Sequence, residues 1–93
     1  MSILARFTAA PAVTTRQYDE TVRRLEESRD WPPDGLEYHV AFGSDGNFRV
    51  SEIWDSREQF EVFGKRLMPV LADVGVALSG EPELIEIHNI VKR

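Results

Sequence analysis

The stretch that decides the fold is residues 36–54, which read LEYHVAFGSDGNFRVSEIW. Two runs rich in Tyr, Val, Phe and Ile, residue types that favour strands, flank the dipeptide Asp45-Gly46. Asp-Gly tolerates the positive φ angles of a two-residue hairpin turn. The sequence therefore predicts two antiparallel strands, Leu36–Gly43 and Phe48–Trp54, joined by a tight turn.

The turn also sets the register of this hairpin. With Asp45 and Gly46 at the turn, Ser44 faces Asn47, and each earlier residue pairs with one later residue. Two faces follow, because side chains alternate along a strand. One face carries Tyr38, Val40, Phe42 and Ile53, and the other carries His39, Ala41, Val50, Glu52 and Trp54. The first set, which is the more apolar, is predicted to lie beneath the helices.

The elements outside the hairpin follow from capping and periodicity. Ser2–Thr8 predicts a first strand, and Leu84–Val91 predicts a last strand. Ser or Thr followed three residues later by Gln is typical of a helix N-terminus. Such capping boxes occur at Thr14/Gln17 and at Ser56/Gln59, and the helices that they begin should end before Trp31 and near Val74, with a kink or split at Pro69.

The resulting order is β-α-β-β-α-β, a ferredoxin-like α+β arrangement with both helices on one face of a four-stranded antiparallel sheet. A chain of 93 residues has room for a single domain, residues 1–93. The opposite sheet face would stay uncovered, although it is partly apolar. We therefore predict a homodimer that pairs these faces into a dimeric α+β barrel, the alternative being a monomer with a solvated face.

Composition excludes several classes of chemistry. The chain has no cysteine, so no disulfide, thiolate nucleophile or Cys-ligated metal centre can form. Its formal charge of −5 argues against nucleic-acid binding, since phosphates would be repelled. Charges recur too often for an apolar run long enough to cross a membrane, and no targeting segment is evident, so a cytoplasmic location is expected.

The residues from the hairpin into the second helix resemble a known group of proteins. Gly46–Phe60 (GNFRVSEIWDSREQF), followed by Leu67-Met68-Pro69 and Gly75-Val76, is similar to the dimeric α+β barrel superfamily, and within it to the antibiotic biosynthesis monooxygenase-like proteins. The resemblance implies a dimer with a pocket beside each sheet. It also implies activities as different as cofactor-independent oxygenation, haem degradation, isomerisation and polyketide cyclisation. The haem-degrading branch fits poorly, because the second helix has no histidine to bind iron.

The candidate chemistry centres on His39 and Glu52. The predicted register makes them cross-strand neighbours, so the carboxylate could orient the imidazole and make it a general base. The same pair could instead serve only to fix the register. Trp54, Tyr38 and His88 are candidate substrate-binding residues, with His88 alternatively at the dimer interface. No metal site is expected, since the two histidines lack ligand spacing.

Two functions remain open at this stage. The first is a cofactor-independent oxygenase, or an enzyme that transfers protons as isomerases and cyclases do, acting on a small hydrophobic or aromatic metabolite. The second is a non-catalytic dimer that binds a small ligand or acts as a scaffold. An open pocket with convergent polar groups would favour the enzyme, and a filled interior would favour the scaffold.

Overall fold

The computed structural model describes residues 1–93 and has the predicted order of elements. The strands are β1 (Ile3–Thr8), β2 (Leu36–Ser44), β3 (Asn47–Trp54) and β4 (Glu83–Glu86), and the helices are α1 (Thr15–Glu27) and α2 (Arg57–Val74). All neighbouring strands are antiparallel, in the sheet order β2-β3-β1-β4. The predicted ferredoxin-like α+β fold is confirmed.

The β2–β3 hairpin has the predicted register. Ser44 pairs with Asn47, and His39 pairs with Glu52. Two glycines make the turn possible: Gly46 has a φ of +86°, and a Cβ placed on Gly43 would lie 2.1 Å from the carbonyl oxygen of Asn47. Both positions therefore require glycine. The turn sequence fixes which residues of the two strands face each other.

Capping defines the start of each helix. At α1 the Thr14 hydroxyl accepts a hydrogen bond from the Gln17 backbone N–H (3.2 Å), and Gln17 Oε1 accepts one from the Thr14 N–H (2.9 Å), which completes the predicted box. At α2 the Ser56 hydroxyl accepts a bond from the Gln59 N–H at 3.2 Å, so one half of the second box forms. Both helices begin where the sequence predicts.

Helix α2 continues through Pro69, so of the predicted kink or split the split does not occur. Proline removes one backbone donor, which leaves the carbonyl of Lys65 without its helical partner. Lys65 and Pro69 are both exposed, and water can hydrate that carbonyl. Gly75 ends the helix in the left-handed conformation, with a φ of 87°. Neither helix is long and apolar enough to cross a bilayer.

The last strand is shorter than predicted. It spans Glu83–Glu86 instead of Leu84–Val91, and its only neighbour is β1. Because β1 begins at Ile3, which pairs with Glu86, the ladder ends there with one further bond from Ile87 N–H to the Ser2 carbonyl. The strand stops where its partner stops.

The predicted assignment of the sheet faces is wrong. The inner face, which lies beneath the helices, carries Ile3, Ala5, His39, Phe48, Val50, Glu52 and Trp54. The outer face carries Leu4, Tyr38, Val40, Phe42, Ile53 and Ile85, of which Tyr38 is 56% exposed. The inner face contains the polar residues His39 and Glu52, so the alternation is clear in the sequence but apolar content alone selects the wrong face. The His39–Glu52 pair is inside because its polar atoms satisfy each other there.

The core predicts a specific loss of stability. Leu25 is 1% exposed and packs with Ile3, Ala5, Trp54 and Phe63. Leu25→Ala should lower the free energy of unfolding by about 2–5 kcal/mol, because it leaves a cavity between α1 and the sheet. Urea denaturation gives the value. Val62→Ala, at a position that is 48% exposed, is the control and should cause no comparable loss. Equal losses in the two variants would contradict this description of the core.

Candidate functional site

A cavity of about 680 Å³ lies between the inner face of the sheet and the two helices. Of its 27 lining residues, 17 are hydrophobic, so it suits a largely apolar ligand. Phe48 and Val50 line it from β3, Leu25 from α1, and Phe63 and Leu71 from α2. Three residues with ionisable side chains, Tyr18, His39 and Glu52, meet on one part of this apolar wall.

His39 and Glu52 form a direct hydrogen bond across the hairpin. His39 Nδ1 lies 2.6 Å from Glu52 Oε2, and the side chains are 16% and 6% exposed. The contact follows from the register, which makes the two residues direct neighbours on the inner face. The sequence-based pairing of His39 with Glu52 is therefore confirmed, although on the opposite face of the sheet from the one predicted.

Trp54 fixes the other oxygen of the same carboxylate. Its indole Nε1–H donates to Glu52 Oε1 at 2.9 Å, and Trp54 is fully buried. An indole N–H can only donate, so Oε1 must accept. An ionised carboxylate accepts at both oxygens, and Nδ1 of His39 must then carry the proton that points at Oε2. Glu52 in this way selects one tautomer of the neutral His39 ring.

Tyr18 completes the chain, and sequence reasoning missed it. Its hydroxyl lies 2.7 Å from His39 Nε2, the nitrogen left without a proton when the ring is neutral, so the phenol O–H donates there. Burial, then the negative charges of Glu52 and Asp19, raise the pKa of Tyr18 above its ordinary value and keep the phenol protonated. Helical periodicity puts Tyr18 on the same side of α1 as Val22 and Leu25, but only the correct sheet face places His39 opposite it.

Aromatic rings enclose the imidazole. The Trp31 ring lies 4.8 Å from the His39 ring, nearly perpendicular to it, and the Tyr18 ring lies 5.9 Å away and nearly parallel. Phe48 contacts the Tyr18 ring edge-on at 5.1 Å. Trp31, which comes from the loop after α1, lines the cavity. Such packing restricts rotation of the imidazole, whose side chain is 16% exposed.

None of the three candidate substrate-binding residues lines this cavity. Trp54 is fully buried in the hydrophobic core, and the other two lie on the opposite side of the sheet. Tyr38 is on the outer face, and His88 lines a separate open depression of about 480 Å³ there, beside Leu4, Ile53 and Ile85. Neither residue lines the main cavity, so the substrate contacts predicted for them do not apply to it. Tyr38 lies on the outer face because side chains alternate along β2. His88 lies beyond the end of β4, so strand alternation does not determine its position. No three His, Asp or Glu side chains are grouped as metal ligands.

Comparison with known proteins relates the fold of this chain to solved structures. No family model and no curated protein sequence matches the chain. SnoaB of Streptomyces nogalater, a cofactor-independent oxygenase, is 15% identical with a TM-score of 0.60, over 99% of this chain and 96% of SnoaB. A candidate antibiotic biosynthesis monooxygenase of Deinococcus radiodurans is 17% identical with a TM-score of 0.62, over 100% of this chain and 98% of its own.

The shared fold extends to proteins without an assigned activity. NE2512 of Nitrosomonas europaea, a protein of unknown function, is 15% identical with a TM-score of 0.55, over 99% of this chain and 90% of its own. Identities this low establish the fold and leave the reaction open. The chain therefore has the α+β fold of the antibiotic biosynthesis monooxygenase-like proteins, as its hairpin and second-helix motifs predict.

Proposed function

We propose that this protein is a cofactor-independent monooxygenase-like enzyme that acts on a small hydrophobic or aromatic compound, with the His39–Glu52 pair as its base. The observation that carries the proposal is the hydrogen-bonded chain Trp54–Glu52–His39–Tyr18, of which Glu52, His39 and Tyr18 line an apolar cavity. The oxygenase fold of SnoaB supports the same reaction class.

The chemistry follows from the charges at the pair. A proton taken from an acidic C–H or O–H group of the ligand makes His39 an imidazolium, and Glu52 at 2.6 Å stabilises that charge. The ligand is left as an electron-rich anion, which can reduce O₂ directly. The overall reaction is balanced, because one CH₂ group and one O₂ give one carbonyl group and one H₂O. Trp54 acts as a positioning residue, because its one side-chain hydrogen bond goes to the Glu52 carboxylate and it does not line the cavity.

The size and lining of the cavity define the ligand. A volume of about 680 Å³ falls in the range of pockets that enclose small organic molecules. The aromatic walls from Trp31, Phe48 and Phe63 favour a flat ring system that can stack or pack edge-on. Tyr18, His39 and Glu52 are joined by hydrogen bonds on one part of the wall, so a ligand with a single acidic edge would be oriented with that edge toward Tyr18 and His39.

One observation favours a second function, a module that binds such a ligand without transforming it. Both nitrogens of His39 already have hydrogen-bond partners, and no buried side-chain polar atom lacks one. A satisfied network of this kind can serve stability and register alone. Turnover separates the two functions, since both predict binding.

The enzyme predicts a loss of turnover when the pair is broken. Glu52→Gln and His39→Gln should each lower the rate about 10²-fold or more, the usual contribution of a general base. Product formation and O₂ consumption with a panel of quinols and polycyclic phenols give the rates. Glu83→Gln makes the same chemical change on the exposed strand β4 and should leave the rate unchanged. Tryptophan fluorescence measures binding separately. A wild type that binds these compounds without turnover would refute the enzyme and support the ligand-binding module.

We further propose that two copies pair through the outer face. Tyr38 and Ile85, which are 56% and 45% exposed, end a cross-strand row with Ile53 and Leu4 between them. Phe42 is 40% exposed on the same face, which makes an apolar surface larger than scattered single residues would. Val50, a candidate for this interface by sequence, instead lines the cavity. The depression beside His88 lies on the same face and would be covered by the second copy.

Charge placed on that face should separate the copies. Phe42→Asp would bury an unpaired carboxylate in the interface and shift sedimentation from dimer to monomer at micromolar concentration. Val62→Asp, on an exposed position of α2, is the matched control and should remain dimeric. A wild-type protein that sediments as a monomer would refute the pairing.

A further inference from the structure

Neither nitrogen of His39 is free to meet a ligand directly. Nδ1 is 2.6 Å from Glu52 Oε2, and Nε2 is 2.7 Å from the Tyr18 hydroxyl. The side chain of His39 is 16% exposed, with Trp31 packed nearly perpendicular to its ring. A base in this position needs either a partner that moves away or a partner that passes the proton on.

We infer that Tyr18 is the group that meets the ligand, and that it relays the ligand's proton to His39. The inference rests on the proposed function and names a catalytic residue that neither the motifs nor the fold comparisons assign. Tyr18 lines the cavity, and its hydroxyl makes no hydrogen bond other than the one to His39. The oxygen of Tyr18 can therefore accept a hydrogen bond from a ligand while its own proton points at Nε2.

The proton balance of the relay is complete without any further reactant. The ligand's O–H or C–H bond breaks and its proton binds to the Tyr18 oxygen. At the same time the Tyr18 O–H bond breaks and that proton binds to Nε2 of His39. Tyr18 ends neutral, as it began. The imidazolium of His39 faces Glu52, and the anionic ligand accepts a hydrogen bond from the renewed Tyr18 hydroxyl.

The charged groups around Tyr18 favour a neutral relay over a phenolate base. Glu52 faces it from β3 and Asp19 lies next to it on α1, while His39 contacts it from β2. With burial, the two carboxylates raise the pKa of Tyr18, so the phenol keeps a proton at neutral pH. A tyrosine that stays protonated can both give a proton and receive one in the same step.

Ionisation of a bound phenol tests the relay without requiring turnover. The probe is para-nitrophenol, whose anion has its own visible absorption, at a pH below its pKa in water. The wild type should bind the probe with a raised ionised fraction. Tyr18→Phe should lower that fraction about ten-fold or more, because the anion loses a hydrogen bond from a buried hydroxyl. Tyr38→Phe removes the same hydroxyl from the outer face and is the matched control.

The outcomes separate the relay from the proposed function. Equal ionisation in the wild type and Tyr18→Phe would mean that His39 takes the proton directly, and would overturn the relay alone. A probe that is neutral in both proteins, or that does not bind, would overturn the relay and the base role of the His39–Glu52 pair together. A lower fraction in Tyr18→Phe, with the control unchanged, supports the relay.

A second measurement does not depend on the fold of Tyr18→Phe. The chain has two tyrosines, so Tyr38→Phe leaves Tyr18 as the only phenol to follow by ultraviolet absorption. Its titration midpoint should lie above 10, the ordinary value, and should fall when Glu52→Gln is added. A Tyr18 titration midpoint that lies at or below 10 and does not change with Glu52→Gln would show that Tyr18 lies outside this network, which would overturn the relay.

Discussion

The buried carboxylate of Glu52 is the constraint on which the site depends. It is 5% exposed, and its only polar partners are the indole N–H of Trp54 and the imidazole of His39. An isolated buried carboxylate would be strongly destabilising, so both partners must be held in place. These contacts build the site from the core outward. Buried Trp54 positions Glu52, Glu52 selects the tautomer of His39, and His39 accepts a hydrogen bond from the Tyr18 hydroxyl.

Two local features make this arrangement possible, and both are visible in the sequence. The Asp45-Gly46 turn sets the register that brings His39 opposite Glu52, and the Thr14–Gln17 capping box begins the helix that carries Tyr18. The turn and the helix are also joined directly, since Asp45 Oδ1 accepts a hydrogen bond from the Thr15 N–H at 2.7 Å. The end of the hairpin therefore holds the start of α1, three residues before the tyrosine.

The order of elements, the register and the pairing of His39 with Glu52 could all be predicted, because each depends on local chemistry. The face of the sheet could not be predicted in the same way. Tyr38, Phe42 and Ile53 are as apolar as the residues that are buried. In the sequence, His39 and Glu52 look like solvent-exposed residues as long as their hydrogen bonds to Tyr18 and Trp54 are unknown. The position of Tyr18 opposite His39 is a contact between distant segments, so it depends on that face. The length of β4 was likewise set by its partner, β1, and not by its own residues.

The fold itself allows several reactions, and the structural neighbours include both an oxygenase and a protein of unknown function. The reaction proposed for this chain depends on the proton arrangement on the cavity wall, which nuclear magnetic resonance of the imidazole nitrogens measures directly. In ¹⁵N-labelled protein with His88→Gln, His39 is the only imidazole. At a pH where the ring is neutral, the account predicts a protonated Nδ1 and an unprotonated Nε2. A ring protonated at Nε2 instead would contradict it, because Nδ1 would then have no proton to donate to Glu52.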